Sequence, residues 1–215
     1  MTAPVLSPAL HTYRGALTDP ARWAVWKPRA GDILVCAPPK CGNTWTQTIL
    51  AMLLHGGPDL PRKLPIISPW VDADLGVSAQ DVAAALDAQP GRRVVKTHTP
   101  ADGFPVWEGV TLVSVFRHPL DVFFSLRKHN ANMVQVADDH PMRWDVSRSL
   151  RQFIDGDVDP DDFDRDTLAT LALLYTRTAL SGRVPAQNLF HYADMVADGL
   201  KAVERLSRAA GIDAD

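Results

Sequence analysis

The chain has 215 residues, 46% of them hydrophobic, which is enough to build one sizeable buried core. Its 22 basic and 25 acidic residues give a formal net charge of −3, so the composition carries no sign of a nucleic-acid-binding surface. No apolar run approaches the roughly 20 residues of a membrane-spanning helix, and the first residues lack the basic start and apolar block of a secretory signal. We therefore expect one domain over residues 1–215, in the cytoplasm, without a membrane or nucleic-acid partner.

The two cysteines, Cys36 and Cys41, lie five residues apart, one in a predicted strand and one in the turn that follows it. A disulfide between them would have to close a very small loop, which disulfide geometry disfavours. We therefore expect two reduced thiols, as is usual in cytosolic proteins.

The first predicted elements are a buried strand and an amphipathic helix that a tight turn connects. The strand ILVCA (33–37) is short, uncharged and rich in β-branched residues, like strands that are buried on both faces. From Trp45 onward, apolar residues recur at i, i+4, i+7 and i+8, which predicts a helix over residues 43–55.

The turn between them, PPKCGNTW (38–45), has the composition of an anion-binding site. Backbone N–H groups at a helix N-terminus lack partners, and the helix dipole is positive there. Lys40 adds a full positive charge, while Asn43 and Thr44 add short hydrogen-bonding side chains. The turn therefore predicts a site for a phosphate-like group.

The remaining segments alternate between predicted helices and strands. Residues 56–77 are rich in Pro and Gly and predict a surface connection. Ser78 and Asp81 form a capping-box pattern that begins a short helix, which Pro90 and Gly91 end. Further strands are predicted at 92–98, 110–116 and 188–192, and further helices from Pro119 and over 167–180 and 195–210. This order predicts an α/β fold with a central parallel sheet between two layers of helices.

The carboxyl ends of three predicted strands carry unusual polar residues, and ligands of parallel sheets bind at that edge. The first strand leads to Lys40, the second ends in KTH (96–98), and the third leads into FRHPLDVFFS (116–125). In the helix of this last segment, two faces are predicted, one with Leu120, Phe123, Phe124 and Arg127 and one with His118, Asp121 and Ser125. Each signal is weak by itself, but together they predict one binding crevice.

Other anion-binding motifs fit these residues less well. A P-loop NTPase needs GxxxxGK[ST], but Lys40 precedes Gly42 and no glycine lies five residues upstream of Gly42. A protein phosphatase would need an arginine six positions after Cys41, where the chain has Gln47. The phosphatase motif therefore fails on its spacing, whereas an ATP-dependent, P-loop-like phosphoryl transferase stays an alternative.

No metal site is predicted. The acidic run DGDVDPDDFDRD (155–166) superficially resembles a calcium-binding loop. Pro160 replaces the glycine that such a loop requires and Asp166 replaces its bidentate glutamate, so the pattern favours a solvated acidic loop. No group of His and Cys residues has the spacing of metal ligands, so we expect a metal-free site.

Several segments, in chain order, resemble motifs of the cytosolic sulfotransferases, which transfer a sulfuryl group from 3′-phosphoadenylyl sulfate (PAPS) to an alcohol, phenol or amine. PPKCGNTW resembles the phosphosulfate-binding loop PKSGTTW, VVKTHTP (94–100) the KTHLP catalytic segment, and VFRHPLDVFFS (115–125) the RNPKDVAVS motif for the 3′-phosphate. Three more segments of the chain resemble segments of the family, namely WKPRAGDILV (26–35), SPWV (68–71) and HYADM (191–195). These matches extend over about 170 residues, and they imply a P-loop-like three-layer α/β/α fold.

The resemblance implies three catalytic roles. His98 would be the general base that takes the proton of the acceptor. Lys40 would neutralise the phosphate oxygens of the leaving group, and Lys96 would help to stabilise the sulfuryl group during transfer. PAPS would be the co-substrate and PAP the product, with no metal ion.

The resemblance also implies which residues bind the nucleotide. The cofactor contacts of the family fall on Lys40, Cys41, Gly42, Asn43, Thr44, Trp45, Arg117, Ser125 and Tyr192. Among them, the backbone of residues 42–44 and the side chains of Asn43 and Thr44 would hold the phosphosulfate, while Arg117 and Ser125 would bind the 3′-phosphate. Trp45 would stack on the adenine, and Tyr192 would contact it.

The chain departs from the family pattern in several places. Cys41 replaces a serine and Asn43 a threonine, while His118 and Leu120 replace an asparagine and a lysine. Because Cys41 lies near a helix N-terminus, we expect a lowered thiol pKa and sensitivity to oxidation. The nucleotide-closing loop of the family, RKGxxGxWK, has no counterpart before Asp215, so either the chain is a fragment or its nucleotide binding is weaker and more open than in the family. For these 215 residues we expect an exposed nucleotide site and weak or absent activity.

The sequence therefore predicts a sulfotransferase for a small hydroxylated acceptor, or an amine, with a homodimer left open. Two alternatives remain, the ATP-dependent phosphoryl transferase and a folded, PAP-binding remnant without activity. The candidates for the acceptor pocket are Trp70, Phe104 and the loop 130–146. Each of them could equally be an ordinary core or lid position.

Overall fold

The computed structural model describes residues 1–134 and 136–213. Its strands are Val5–Ser7 (β1), Ile33–Cys36 (β2), Val94–Thr97 (β3), Val106–Trp107 (β4), Thr111–Phe116 (β5) and Leu189–His191 (β6). Its α-helices are Asn43–His55 (α1), Leu64–Ile67 (α2), Ala79–Asp87 (α3), Pro119–Ala131 (α4), Val146–Asp155 (α5), Leu168–Leu180 (α6), Tyr192–Ala197 (α7) and Gly199–Ala210 (α8). Four strands form a central parallel sheet in the order β3-β2-β5-β6.

The parallel pairing brings the carboxyl ends of these strands to one edge of the sheet. Cys36 at the end of β2 lies opposite Thr97 of β3, and Phe116 at the end of β5 lies opposite His191 of β6. The turn after β2, the KTH segment, the arginine after β5 and the tyrosine after β6 therefore start from the same edge. This is the edge at which ligands of parallel sheets bind.

The central strand β2 has apolar side chains on both of its faces. Ile33 and Val35 pack in a cluster with residues of α1 and α8, whereas Leu34 and Cys36 pack in a second cluster with α3 and several tryptophans. Successive side chains of a strand point to opposite faces, so an unbroken apolar run is what burial between two layers requires. The predicted three-layer α/β/α fold with a central parallel sheet is confirmed.

Some elements of the structure have no clear signal in the sequence. β1 and β4 pair as a short antiparallel ribbon, and α2 lies inside the predicted surface connection 56–77. The helix α5 does have a helical spacing, with Val146, Leu150, Phe153 and Ile154 at i, i+4, i+7 and i+8, although only Phe153 of these is buried. The predicted helix 195–210 is two helices, α7 and α8, because Asp198 leaves the helical conformation and caps α8 by accepting a hydrogen bond from the Lys201 amide.

The buried side of α4 differs from the predicted faces. Phe123 is buried with Val122 and Leu126, but Leu120 and Phe124 are 44% and 50% exposed. The ring of Phe123 packs against a phenylalanine of α5. The packing of α5, which the sequence does not predict, therefore selects the buried side of α4.

Two further expectations concern the thiols and the membrane. Cys36 and Cys41 are both buried and free, so the expectation of two reduced thiols stays a prediction. Among the helices of the described residues, none combines the length and apolar character that crossing a bilayer requires.

Candidate active site

The turn between β2 and α1 has a strained backbone that leaves the start of α1 open. Lys40 has φ +62°, a left-handed conformation that costs a residue with a side chain about 1–2 kcal/mol. Gly42 has φ +109°, and a Cβ there would lie 2.8 Å from a ring carbon of Tyr192, so no other residue fits. Gly42 is also the N-cap of α1 and provides no side-chain cap. The first N–H groups of this 13-residue helix are thus available to an anion.

One cavity of about 560 Å³ brings the predicted site together. It is lined by all three predicted catalytic residues, Lys40, Lys96 and His98. It is also lined by the predicted nucleotide-binding residues Gly42, Asn43, Thr44, Trp45, Arg117, Ser125 and Tyr192. These residues lie at or after the carboxyl ends of four different strands, so they become neighbours only because the strands pair in one parallel sheet.

A backbone contact fixes the tautomer of His98. Its Nδ1 lies 2.7 Å from the carbonyl oxygen of Ala37, which can only accept, so Nδ1 carries the proton and Nε2 has a free lone pair. The ring also packs edge-on against Trp70, with 4.3 Å between centroids. Burial, followed by the positive charge of Lys96, lowers the pKa of His98 to about 3. The imidazole is therefore neutral near pH 7.

The two lysines share the cavity and destabilise each other's charge. Burial and the nearby Lys40 lower the pKa of Lys96 to about 8, and its Nζ lies 4.8 Å from the ring centroid of Trp70. Burial and Arg117 lower the pKa of Lys40, and Asp166 opposes that shift. An anionic ligand between these groups would relieve the repulsion.

Both the backbone and the guanidinium of Arg117 make contacts that fix the position of the side chain. Its amide donates to the hydroxyl of Tyr175, which in turn donates to the carbonyl of Arg117. The guanidinium donates to the carbonyl of Lys40 at 3.1 Å and lies 4.4 Å from the ring centroid of Tyr192. Its buried Nε has no partner in the described part of the chain. Tyr175 is a positioning residue that no local sequence pattern marks.

A sequence profile described as the sulfotransferase domain matches residues 30–215. The chain belongs to the sulfotransferase family. A glycolipid sulfotransferase from Mycobacterium bovis is 34% identical over 229 residues, which cover 94% of this chain and 70% of that protein. A glycolipid sulfotransferase from Mycobacterium tuberculosis is 43% identical over 121 residues, which cover 56% of this chain and 37% of that protein. The chain is thus a member of a family of enzymes.

Solved structures share the fold of this family member. Retinol dehydratase in complex with retinol and PAP has a TM-score of 0.63 at 18% identity, over 87% of this chain and 62% of that chain. A mouse sulfotransferase complexed with PAP has a TM-score of 0.60 at 19% identity, over 91% of this chain and 64% of that chain. Both comparisons confirm a P-loop-like α/β/α fold, and this chain spans less than two thirds of each.

Two residues of the turn differ from their predicted roles. The side chain of Cys41 lies in the core, 3.2 Å from the hydroxyl of Tyr175 and outside the cavity, and burial raises its pKa to about 11. The expected lowered pKa is therefore wrong, because burial outweighs the helix N-terminus. The amide nitrogen of Asn43 donates to the carbonyls of Ala37 and Pro38, so this side chain closes the turn instead of donating to a ligand.

His118, in contrast, explains why one departure from the family pattern is harmless. Its Nδ1 accepts a hydrogen bond from the amide of Leu120 at 3.2 Å and so caps α4. An asparagine could supply the same cap, since both residues offer an acceptor near their own backbone.

The predicted solvated acidic loop takes part in the site. Asp164 accepts hydrogen bonds from the backbone amides of Leu17 and Thr18, at 2.7 and 2.8 Å. Leu17, Asp164 and Asp166 all line the catalytic cavity. The sequence does not show this because the partners are nearly 150 positions apart.

The candidates for the acceptor pocket divide between core and cavity. Phe104 is fully buried against Trp23 and Trp107, so it has the core position that was its alternative. Within the loop 130–146, Met133 and Val136 line the catalytic cavity. Trp70 lines that cavity as well.

A second cavity, of about 620 Å³, adjoins the first between α1, α2 and α3. The two cavities share Thr44, Trp70 and Lys96. The remaining wall of the second cavity is mainly apolar, with Leu64, Pro65, Ile66, Leu75, Val77 and Val82. An apolar space thus lies directly beside the reactive groups.

Proposed function

We propose that this chain transfers the sulfuryl group of PAPS to a hydroxyl group, or an amine, of a small acceptor by in-line displacement, releasing PAP. One observation carries the proposal. His98, with its free Nε2, lines the same cavity as Lys40, Lys96 and an open helix N-terminus. Sulfuryl transfer, like phosphoryl transfer, depends mainly on positioning and charge stabilisation, which this arrangement offers.

The residues of the cavity fit PAPS. The turn has no room for a side chain at Gly42, and the buried Nε of Arg117 has no partner in the described residues. Arg117 and Ser125 would hold the 3′-phosphate, since a guanidinium can bind two oxygens at once. Trp45 and Tyr192, whose rings lie 5.8 Å apart, would contact the adenine. When bound, PAPS supplies an activated sulfuryl group on a phosphate leaving group.

His98 would accept the proton of the acceptor hydroxyl at Nε2. Its low pKa in the ligand-free cavity comes from burial and from the charges of Lys96 and Lys40. Negative charge bound beside those lysines would offset their effect and raise the basicity of the imidazole. The base would then be strongest when both substrates are in place.

Lys40 and Lys96 would stabilise negative charge that develops during transfer. The turn places Lys40 close to the open end of α1, so the lysine and the backbone amides of residues 42–44 would serve the same anion. Lys96 lies in the neighbouring strand β3, two residues before His98. A charge that is held in place before the reaction costs no reorganisation during it.

We propose further that the acceptor has an apolar part, which occupies the second cavity. The support is the apolar wall of that cavity and the groups it shares with the catalytic cavity, Trp70 and Lys96. Proteins similar to this chain are named glycolipid sulfotransferases, and a solved relative in fold binds retinol.

The proposed apolar subsite can be tested by filling it. Ala85 and Ala84 are both exposed residues of α3, but only Ala85 lines the second cavity. With PAPS and wild-type protein, 1-octanol should exceed 1-butanol in kcat/KM, by up to about 200-fold, because each of its four additional CH2 groups contributes about 0.8 kcal/mol when buried. Ala85→Trp should abolish this preference and Ala84→Trp should retain it. Equal preference in both variants would place the apolar part elsewhere.

The reaction itself is tested by nucleotide binding and product release. PAP should bind without Mg2+ and more tightly than ATP, and PAPS with 1-octanol should release PAP. Tighter ATP binding with Mg2+ would favour the phosphoryl transferase. PAP binding without turnover, over a panel of alcohols, phenols and amines, would favour the inactive remnant.

We also propose a metal-free reaction in a reducing compartment such as the cytoplasm. The lysines and Arg117 supply the charge that a metal ion provides in phosphoryl transferases, and both thiols are free. Turnover should be unchanged by EDTA, and a loss that Mg2+ restores would contradict the proposal.

A further inference from the structure

The acidic loop that connects α5 to α6 is organised by specific contacts. Asp159 pairs with Arg165, with 2.7 Å between Oδ2 and Nη2. Asp162 accepts from the amide of Ala16, and Asp164 accepts from the N-terminal segment around Leu17. These half-buried carboxylates thus fasten the loop to itself and to the N-terminal segment.

Asp166 is different from these carboxylates. It is half-buried like them and lines the catalytic cavity, but its side chain forms no hydrogen bond or ion pair with any described residue. Burial, followed by the charge of Asp164, raises its pKa to about 6, and Lys40 opposes this shift. A carboxylate in a cleft that has a raised pKa and no partner in the described part of the protein is a candidate for contact with a ligand.

The charge of Asp166 limits which substrate it can meet. The anion-binding side of the cavity is formed by the turn at Lys40, by Arg117 and by the N-terminus of α1. A carboxylate repels phosphate and sulfate groups, so Asp166 is suited to the acceptor. An ionised carboxylate only accepts hydrogen bonds, and hydroxyl groups are good donors to it.

The acceptor must then offer more than one hydroxyl. One hydroxyl is needed at Nε2 of His98, where the proton is taken, and a different one is needed at Asp166. A sugar-like head group provides several hydroxyls on neighbouring carbons. The apolar second cavity, which shares Trp70 with the catalytic cavity, would take the rest of the molecule.

Resting on the proposed sulfuryl transfer, we propose that Asp166 is a specificity-determining residue that binds additional hydroxyls of a sugar-like acceptor head group. The residue thereby favours polyhydroxylated acceptors over single alcohols and disfavours anionic ones. In the competing role, Asp166 contacts no substrate and only restrains the side chain of Lys40.

Two probes with the same alkyl chain separate these roles, n-octyl β-D-glucoside and 1-octanol. Their dissociation constants are measured by calorimetry below micelle-forming concentrations, with and without PAP, for wild type, Asp166→Ala, Asp166→Glu and Asp161→Ala. Asp161 is an exposed residue of the same loop whose side chain forms no hydrogen bond or ion pair with any described residue, so it serves as the matched control.

We expect wild type to bind the glucoside more tightly than octanol. Asp166→Ala should weaken glucoside binding about 10- to 100-fold, the scale of hydrogen bonds to a charged group, with octanol binding unchanged. Asp166→Glu should recover part of the loss, and Asp161→Ala should behave as wild type. Thermal unfolding of each variant shows that it is folded.

Three results would overturn the inference. The first is a wild type without preference for the glucoside, and the second is an equal loss for both probes in Asp166→Ala. The third is a change in PAP affinity alone, which would assign Asp166 to Lys40. Failure of wild type to bind PAP would instead contradict the proposed function. The dissociation constants of the two probes can still be compared without nucleotide in that case.

Discussion

The two ends of the central sheet treat buried charge in opposite ways. At the amino end, Asp32 before β2 and Arg93 before β3 are fully buried and paired, with 2.5 Å between Oδ2 and Nη2. At the carboxyl end, Lys40, Lys96 and Arg117 line a cavity and form no ion pair with a carboxylate of the described residues. One end satisfies its charges within the protein, and the other keeps them open.

The difference shows that a missing partner, more than burial, marks a binding site. A closed pair holds two strands together but presents little charge to a ligand. Burial, and after it the repulsion between open cations, lowers the pKa values of Lys96 and His98, and a bound anion would relieve that repulsion. Substitutions at the two ends should therefore separate stability from function.

The largest effect is expected at the open end, from loss of the base. His98→Ala should lower kcat by roughly 10²- to 10⁴-fold, the usual contribution of a general base. PAP affinity should change little, since the imidazole acts on the acceptor. PAP release under saturating PAPS measures the effect, and His55→Ala, an exposed histidine at the end of α1, is the control. Wild-type turnover in His98→Ala would remove the base assignment.

At the closed end, the expected effect is on stability. Arg93→Leu should lower the free energy of unfolding by about 3–5 kcal/mol, because it leaves Asp32 buried without a counter-charge. The double variant Asp32→Leu with Arg93→Leu should regain much of this loss, since no unpaired charge remains. Urea unfolding of the three proteins provides the test. A single variant as stable as wild type would mean that the two ends do not differ in this way.

Arg117→Ala should affect binding and spare stability. We expect PAP affinity to fall about 10- to 100-fold, the scale of hydrogen bonds to a charged group. AMP, which lacks the 3′-phosphate, should lose much less. Calorimetry with both nucleotides measures this, with Arg151→Ala on the exposed side of α5 as control. Equal weakening for PAP and AMP would instead show that Arg117 supports the turn through the carbonyl of Lys40.

The smallest expected effect is a pH dependence in which activity and stability change in opposite directions. The folded-state pKa of Lys96 is lowered from 10.5 to about 8, so between these values the unfolded chain binds more protons. Stability should therefore rise with pH across this range, while kcat/KM for PAPS, which reports the free enzyme, falls as Lys96 loses its charge. Lys96→Met should remove its share of both slopes. If activity and stability change in the same direction in wild type, Lys96 has no catalytic charge.

The predicted site follows from local sequence because each part is a short segment with its own chemistry. The apolar strand before Lys40, the glycine that the turn requires and the KTH segment all follow from a few neighbouring residues. The prediction was weaker where burial mattered. Cys41 was expected to be reactive from its place near a helix, but its side chain packs in the core.

By itself, the sequence determined the family, the alternation of helices and strands, and the residues at the carboxyl edge, since these depend on local pattern and on motifs. Only the tertiary structure decided that α4 buries Phe123, that Tyr175 holds Arg117, and that Asp166 reaches the catalytic cavity. The physical reason is that these placements depend on contacts between segments far apart in the chain. Their energy comes from packing and from desolvation, which no local pattern encodes.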